Sequence, residues 1–181
     1  MRKITLFIAM SLDGYIADHN GGVAWLNGRG NDSENIDAYS EFVKEIDTVI
    51  MGWNTYHQIA AELSVNDWPY EEFTTYVFTH KNETSSEKIR FTRESPVSLI
   101  KQLKGKDGKG IWICGGAQTA QQLIEQNMID ESYISVIPTI LGGGIRLFET
   151  AGQGIKLKLS KTRTYNGITE LVYVRRQIKA D

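Results

Sequence analysis

The feature that most restricts how this chain can fold is the exchange of two hydrophobic periods along its first two thirds. Ile4 to Met10 is an unbroken, β-prone apolar run, after which Ile36, Tyr39, Phe42, Val43 and Ile46 recur on one helix face, with Ser33 placed to cap it. Thr48 to Met51 is a second buried-strand candidate, and Tyr56, Ile59, Ala60 and Leu63 again follow at helical offsets. Thr75 to Thr79 is the next strand. Ser95-Pro96 then supplies an N-cap and first helical residue ahead of Leu99, Ile100 and Leu103. Ile111 to Cys114 and the group Ala117, Ala120, Leu123 and Ile124 complete the series. Alternation of this kind predicts an α/β protein with parallel strands, right-handed crossovers and helices on both faces of the sheet.

From Tyr133 onward only strands are expected: Tyr133 to Pro138, then Ile155, Leu157 and Leu159 alternating with lysines, then Ile168 to Val174. Asn166-Gly167 between the last two suits a type I′ hairpin turn, which needs positive φ at both central positions. The expected architecture is a mixed, mostly parallel central sheet closed by a C-terminal antiparallel hairpin. Gly105 to Gly110 reads as a polar loop, so residues 1–181 are expected to form one domain.

Lysine and arginine number 20 against 22 acidic residues, and neither sign forms a block, which argues against a nucleic-acid partner. The Ile4–Met10 run is too short for a secretion signal or a membrane span, so a cytoplasmic protein with no membrane partner is expected. Cys114 is the single cysteine; no intrachain disulfide is possible, and its apolar neighbours suggest a small buried hydrophobe. His19, His57 and His80 show no ligand spacing, so no metal is expected.

Gly14, Gly52, Gly115-Gly116 and Gly142-Gly143-Gly144 fall at or just past predicted strand ends, the edge at which open α/β sheets bind ligands. At Gly115-Gly116-Ala117-Gln118-Thr119 a strand passes through two glycines into a helix, where backbone N–H groups can approach a phosphate. The same glycines are equally consistent with a simple strand-to-helix turn. Gly52-Trp53-Asn54-Thr55 repeats the layout, with Thr55 in the first helical turn and either a phosphate contact or a cap. Two such turns suit the two ends of a dinucleotide diphosphate.

These segments, in this order, resemble the dihydrofolate-reductase-like superfamily, and in particular the C-terminal reductase domain of bacterial riboflavin-biosynthesis deaminase-reductases. The resemblance is carried by Ala9-Met10-Ser11-Leu12-Asp13-Gly14-Tyr15-Ile16-Ala17, Val49 to Tyr56, Ile113 to Ala117, and Pro138 to Phe148. It implies that Ala9 and Ile16 flank a nicotinamide, that Gly52, Trp53, Asn54 and Thr55 with Thr79, His80 and Lys81 hold the adenosine side, and that Gly115, Gly116, Ala117, Gln118 and Thr119 cradle the diphosphate of NADPH. Two departures accompany it. Dihydrofolate reductases carry arginine where this chain has Trp53, leaving Lys81 or His80 to supply positive charge. Their pteridine-gripping carboxylate maps to Ala38, with Asp37 adjacent but about 100° around the helix, which counts against folate.

The activity implied is NADPH-dependent hydride transfer to a small heterocyclic or sugar-derived substrate, 5-amino-6-(5-phosphoribosylamino)uracil being the candidate. Dihydrofolate reduction and nucleotide binding without catalysis are the rivals. Asp13 is the acid to watch for proton relay, or else a turn residue. Trp25 is either a lid over the nicotinamide or an aromatic pinned on the core. Arg146 either meets a substrate phosphate or lies free on the surface, with Asp37 the remaining candidate for substrate contact. Gly142 to Gly144 either admit a ligand or bend the chain. A homodimer is expected from the resemblance and from the apolar alternation of the C-terminal strands.

Overall fold

The structure, a computed structural model, describes residues 1–27, 36–149 and 154–176. Its main sheet has eight strands, and six are parallel: β1 (Ile4–Ser11), β3 (Ile46–Gly52), β4 (Thr74–Phe78), β5 (Ile89–Thr92), β6 (Gly110–Gly115) and β7 (Glu131–Ile137). The hairpin of β9 (Leu157–Tyr165) and β10 (Ile168–Arg175) closes it in the order β5-β4-β3-β6-β1-β7-β10-β9, with β10 antiparallel to both neighbours. Asn166 and Gly167 take φ of 46° and 74°, the positive pair that the hairpin turn demands. A separate two-stranded piece joins β2 (Tyr15–Ala17) to β8 (Ile145–Arg146).

Alternation along the strands divides the core. Ile4, Leu6, Ile50, Ile111, Ile113 and Ile134 point to the face covered by α3 (Pro96–Lys104) and α4 (Ala117–Glu125), where Leu99, Leu103 and Leu123 meet them. Val49, Met51, Val77 and Trp112 point to the other face, against Phe42 of α1 (Ala38–Val43) and Ile59, just past α2 (Trp53–Gln58).

Several expected boundaries move. Ser33 lies outside the described residues, and the helix it was to cap begins at Ala38, with the Asp37 carboxylate accepting from Ser40 N. Ile36 precedes that helix and is exposed, while Ile46 opens β3 instead of ending the helix, because Glu45 N closes a turn on Phe42 O. The helix expected through Leu63 is α2, from Trp53 to Gln58, followed by a wider π turn over Ile59–Leu63. Ser95 does cap α3, accepting from Ser98 N, with Pro96 in its first turn. Strands β2, β5 and β8 carry no sequence signal, being two to four residues long.

The sheet is not continuous along its whole height. β1 pairs with β6 only from Ile4–Ile111 to Leu6–Ile113, then leans toward β7, which it follows to Ser11–Ile137. β6 meanwhile follows β3, as far as Met51–Gly115. Above Leu6 the two strands diverge, and Trp112 Nε1 donates to Phe7 O at 3.0 Å where the gap begins.

Candidate functional site

A cleft of 1630 Å³ opens from this gap along the C-terminal ends of the parallel strands. Every residue named above for a cofactor, from Ala9 and Ile16 through Gly52 to Thr55, Thr79 to Lys81 and Gly115 to Thr119, lines it.

The two glycine turns meet in its wall. A Cβ on Gly52 would stand 3.3 Å from Thr119 Oγ1, one on Gly115 3.2 Å from Thr55 Cγ2, and one on Gly116 3.4 Å from Gly52 N. Gly116 also has φ of +84°, which a side chain resists. Behind these turns α2 and α4 start with no side-chain cap, whereas α1 and α3 are capped by Asp37 and Ser95. Neither Asn54 nor Thr55 caps α2; Gly52 occupies the cap position. Two helix N-termini with free N–H groups thus open side by side.

Beyond them, charge collects at one end. Lys81 Nζ lies 4.2 Å from the Trp53 ring centroid, and His57 packs on the same indole at 5.7 Å. Arg93 is nearby, donating to His80 O and Asn82 Oδ1. The other end is aromatic. Trp112 has Tyr70 edge-on at 5.2 Å and Tyr39 at 5.9 Å, and Cys114 and Ser135 complete the floor.

Cys114 is a partly buried hydrophobe packed against the Phe42–Trp112 cluster where it also lines the cleft, and its Sγ lies 3.4 Å from Tyr70 Oη. Burial pushes its thiol up to about 11 and pushes the Tyr70 phenol up as well, so both stay protonated at neutral pH. The pair is a neutral polar contact and not a nucleophile. Trp112 and Cys114 sit two apart on one strand face, a period-2 signal that marks them in the sequence; Tyr70, in an irregular segment, offers none.

The structure does not bring the remaining candidates to the cleft. Asp13 accepts from Ser11 Oγ at 2.6 Å, Gly142 N at 2.8 Å and Leu141 N at 3.1 Å. The Ser11 hydroxyl above all, with these backbone donors, holds its carboxyl down at about 2. It is the clasp of the 138–144 loop. Gly143 and Gly144 in that loop are tight because the His19 ring and the Ala17 carbonyl occupy the space a Cβ would need, so they bend the chain around β2. Trp25 donates to Gly22 O in a short 3₁₀ turn, leaving Val23 and Leu26 to face the cleft. Arg146 covers Tyr15, its guanidinium 4.7 Å from the ring centroid. Asp37 is the exposed cap of α1.

A parallel sheet that divides above its midpoint, carries glycine turns at the division and ends in an antiparallel hairpin is the dihydrofolate-reductase-like architecture. Within that class the chain belongs to the RibD C-terminal domain family, whose model matches residues 2–170. It is 38% identical over 175 residues to the Bacillus subtilis (strain 168) uncharacterized protein YwjB, covering 96% of this chain and 98% of that one. A putative riboflavin biosynthesis protein from Shewanella sp. PV-4 superposes with a TM-score of 0.80 at 28% identity, covering 97% of this chain and 99% of that one. The Thermotoga maritima diaminohydroxyphosphoribosylaminopyrimidine deaminase/5-amino-6-(5-phosphoribosylamino)uracil reductase gives 0.70 at 16% identity, covering 97% of this chain and 57% of that larger chain. Enterococcus faecalis dihydrofolate reductase complexed with NADP(H) gives 0.65 at 18%, covering 97% of each, and like the previous match it speaks to the fold alone. Among the described residues no helix is long and apolar enough to cross a membrane.

Proposed function

We infer that this protein is an NADPH-dependent reductase of the riboflavin-biosynthesis type, acting in the cytoplasm as a homodimer on a small heterocycle such as 5-amino-6-(5-phosphoribosylamino)uracil. The observation that carries the cofactor is the pair of uncapped helix N-termini, α2 and α4, packed together through glycines at one cleft wall. Free N–H groups at two adjacent positive helix ends suit a diphosphate. Gly52 to Thr55 and Gly115 to Thr119 would hold it, with Lys81 and Trp53 taking the 2′-phosphorylated adenosine. Ala9 and Ile16 would then flank the nicotinamide end, where β1 has left β6 and its edge is open.

Bound there, NADPH supplies a hydride. The chain's own residues supply position and shelter. Tyr39 and Tyr70, backed by the buried Trp112, offer aromatic surface to a planar substrate, and the open β1 edge offers backbone groups for orienting it. Folate is disfavoured, since α1 presents Ala38 where a carboxylate is needed and spends Asp37 as its cap.

Titration of the purified protein with NADPH, following nicotinamide fluorescence, tests the reading. Saturable binding and consumption of NADPH with a pyrimidine substrate are expected. Absence of binding by NADPH and NADH at millimolar concentration rejects it, and binding without turnover across pyrimidines, pterins, quinones and aldehydes favours a nucleotide-binding module. Methotrexate should leave the melting temperature unchanged.

A further inference from the structure

One hydroxyl at the aromatic end of the cleft is held in place with its hydrogen still to give. Cys114 S–H donates to Tyr70 Oη at 3.4 Å. A thiol carries one hydrogen and a phenol another, and the single contact between them uses only one. With the thiol as donor the phenolic O–H is left over, and among the described residues no acceptor meets it.

The ring that carries this O–H is fixed from both sides. Tyr70 stands edge-on to Trp68 at 5.3 Å and to Trp112 at 5.2 Å, with interplanar angles of 86° and 87°. Trp112 is buried and anchored in turn through Nε1 to Phe7 O. The Tyr70 carbonyl closes a turn by accepting from Phe73 N at 3.0 Å. Swinging the phenol away from the cleft, which it lines beside Cys114 and Tyr39, would break both indole contacts. Tyr39 differs, because at 41% exposure its hydroxyl has bulk solvent for a partner. Tyr70 is more withdrawn, and burial is the largest cause that pushes its phenol up. A donor withdrawn from solvent and lacking an acceptor costs free energy that a bound acceptor recovers.

We propose that Tyr70 is a specificity residue of the cleft: its O–H donates to a ring carbonyl or ring nitrogen at the edge of a planar ligand, while the Cys114 thiol fixes the hydroxyl from behind. Calling that ligand the substrate rests on the reductase reading; the geometry of the pair does not. A fixed, neutral donor discriminates through what it is left facing. A heterocycle with an in-plane acceptor satisfies it, whereas a carbocycle of the same size leaves it unpaired and makes the same aromatic contacts with Tyr39. The ligand class is therefore a planar, uncharged heterocycle, chosen over its carbocyclic counterpart at this one hydroxyl.

The test is isothermal titration of the whole protein, both free and saturated with NADP⁺, using 5-aminouracil and aniline as probes. The wild type should bind 5-aminouracil about tenfold more tightly than aniline. Tyr70→Phe keeps the ring and its indole contacts; it should lose about tenfold for 5-aminouracil and leave aniline and NADP⁺ affinities unchanged. Cys114→Ser, which keeps a donor toward Oη, should hold the preference, and its loss there would overturn the role given to the thiol. A wild type that does not prefer 5-aminouracil, or a Tyr70→Phe loss shared equally by the two probes, overturns the proposal, the second outcome leaving Tyr70 as wall alone. Either result with NADP⁺ still bound leaves the reductase reading intact. A protein that shows the preference but binds no nicotinamide cofactor keeps the Tyr70 assignment and removes that reading.

Discussion

Lys81 over Trp53 puts a cation of the cleft on the one indole that stands where an arginine would be expected. Lys81→Ala should weaken NADPH about tenfold, ~1.4 kcal/mol, and leave NADH nearly unchanged; parallel titrations give the ratio, and equal losses would place Lys81 away from the 2′-phosphate. Asp13 is a different kind of charge, fully engaged by Ser11, Leu141 and Gly142 and held down at about 2. A carboxyl lowered on folding stabilises above its unfolded value of roughly 3.9 and loses that effect as pH falls toward 2. Melting curves between pH 7 and 2 should therefore fall more steeply below pH 4 for the wild type than for Asp13→Asn. A parallel decline would mean the clasp carries no linkage.

Among elements, the two glycine turns are one structure and not two. Gly116→Ala should both destabilise, since φ is +84° and Gly52 N would stand 3.4 Å from the new methyl, and weaken NADPH by about tenfold or more. Melting temperature and dissociation constant on the same variant separate the effects, and a destabilised protein with wild-type affinity would count against the phosphate site. That the turns would line one cleft was legible, because strand ends, glycines and helix periods are all local patterns. Their mutual contact was not, since Thr55 comes to Gly115, and Thr119 to Gly52, only through the order β3-β6 in the sheet. The same limit explains Ser135 and Tyr70, whose place in the site depends on neighbouring strands. It also explains Asp13 and Arg146, whose partners Leu141 and Tyr15 are more than a hundred residues away from them.

At the scale of the whole molecule, the outer hairpin leaves an apolar groove of 450 Å³ between α4, β7 and β10, edged by Phe148, Ile155 and Leu157. These three are 48%, 38% and 46% exposed, an uncovered face that a second copy would bury. Light scattering at micromolar concentration should give twice 20.4 kDa, and Leu157→Lys should return the monomer; a wild-type mass of one chain rules the dimer out. The division between β1 and β6 has its own consequence. Strands β5, β4, β3 and β6 form one leaf and β1, β7, β10 and β9 another, and the ladder that binds them is three residue pairs long, like a book held by a short spine. Both uncapped helices follow strands of the first leaf, while the open edge at Ala9 belongs to the second. A ligand that reaches from one to the other is thus a fastening across the gutter, and its grip should be felt as slowed amide hydrogen exchange on pages it never touches.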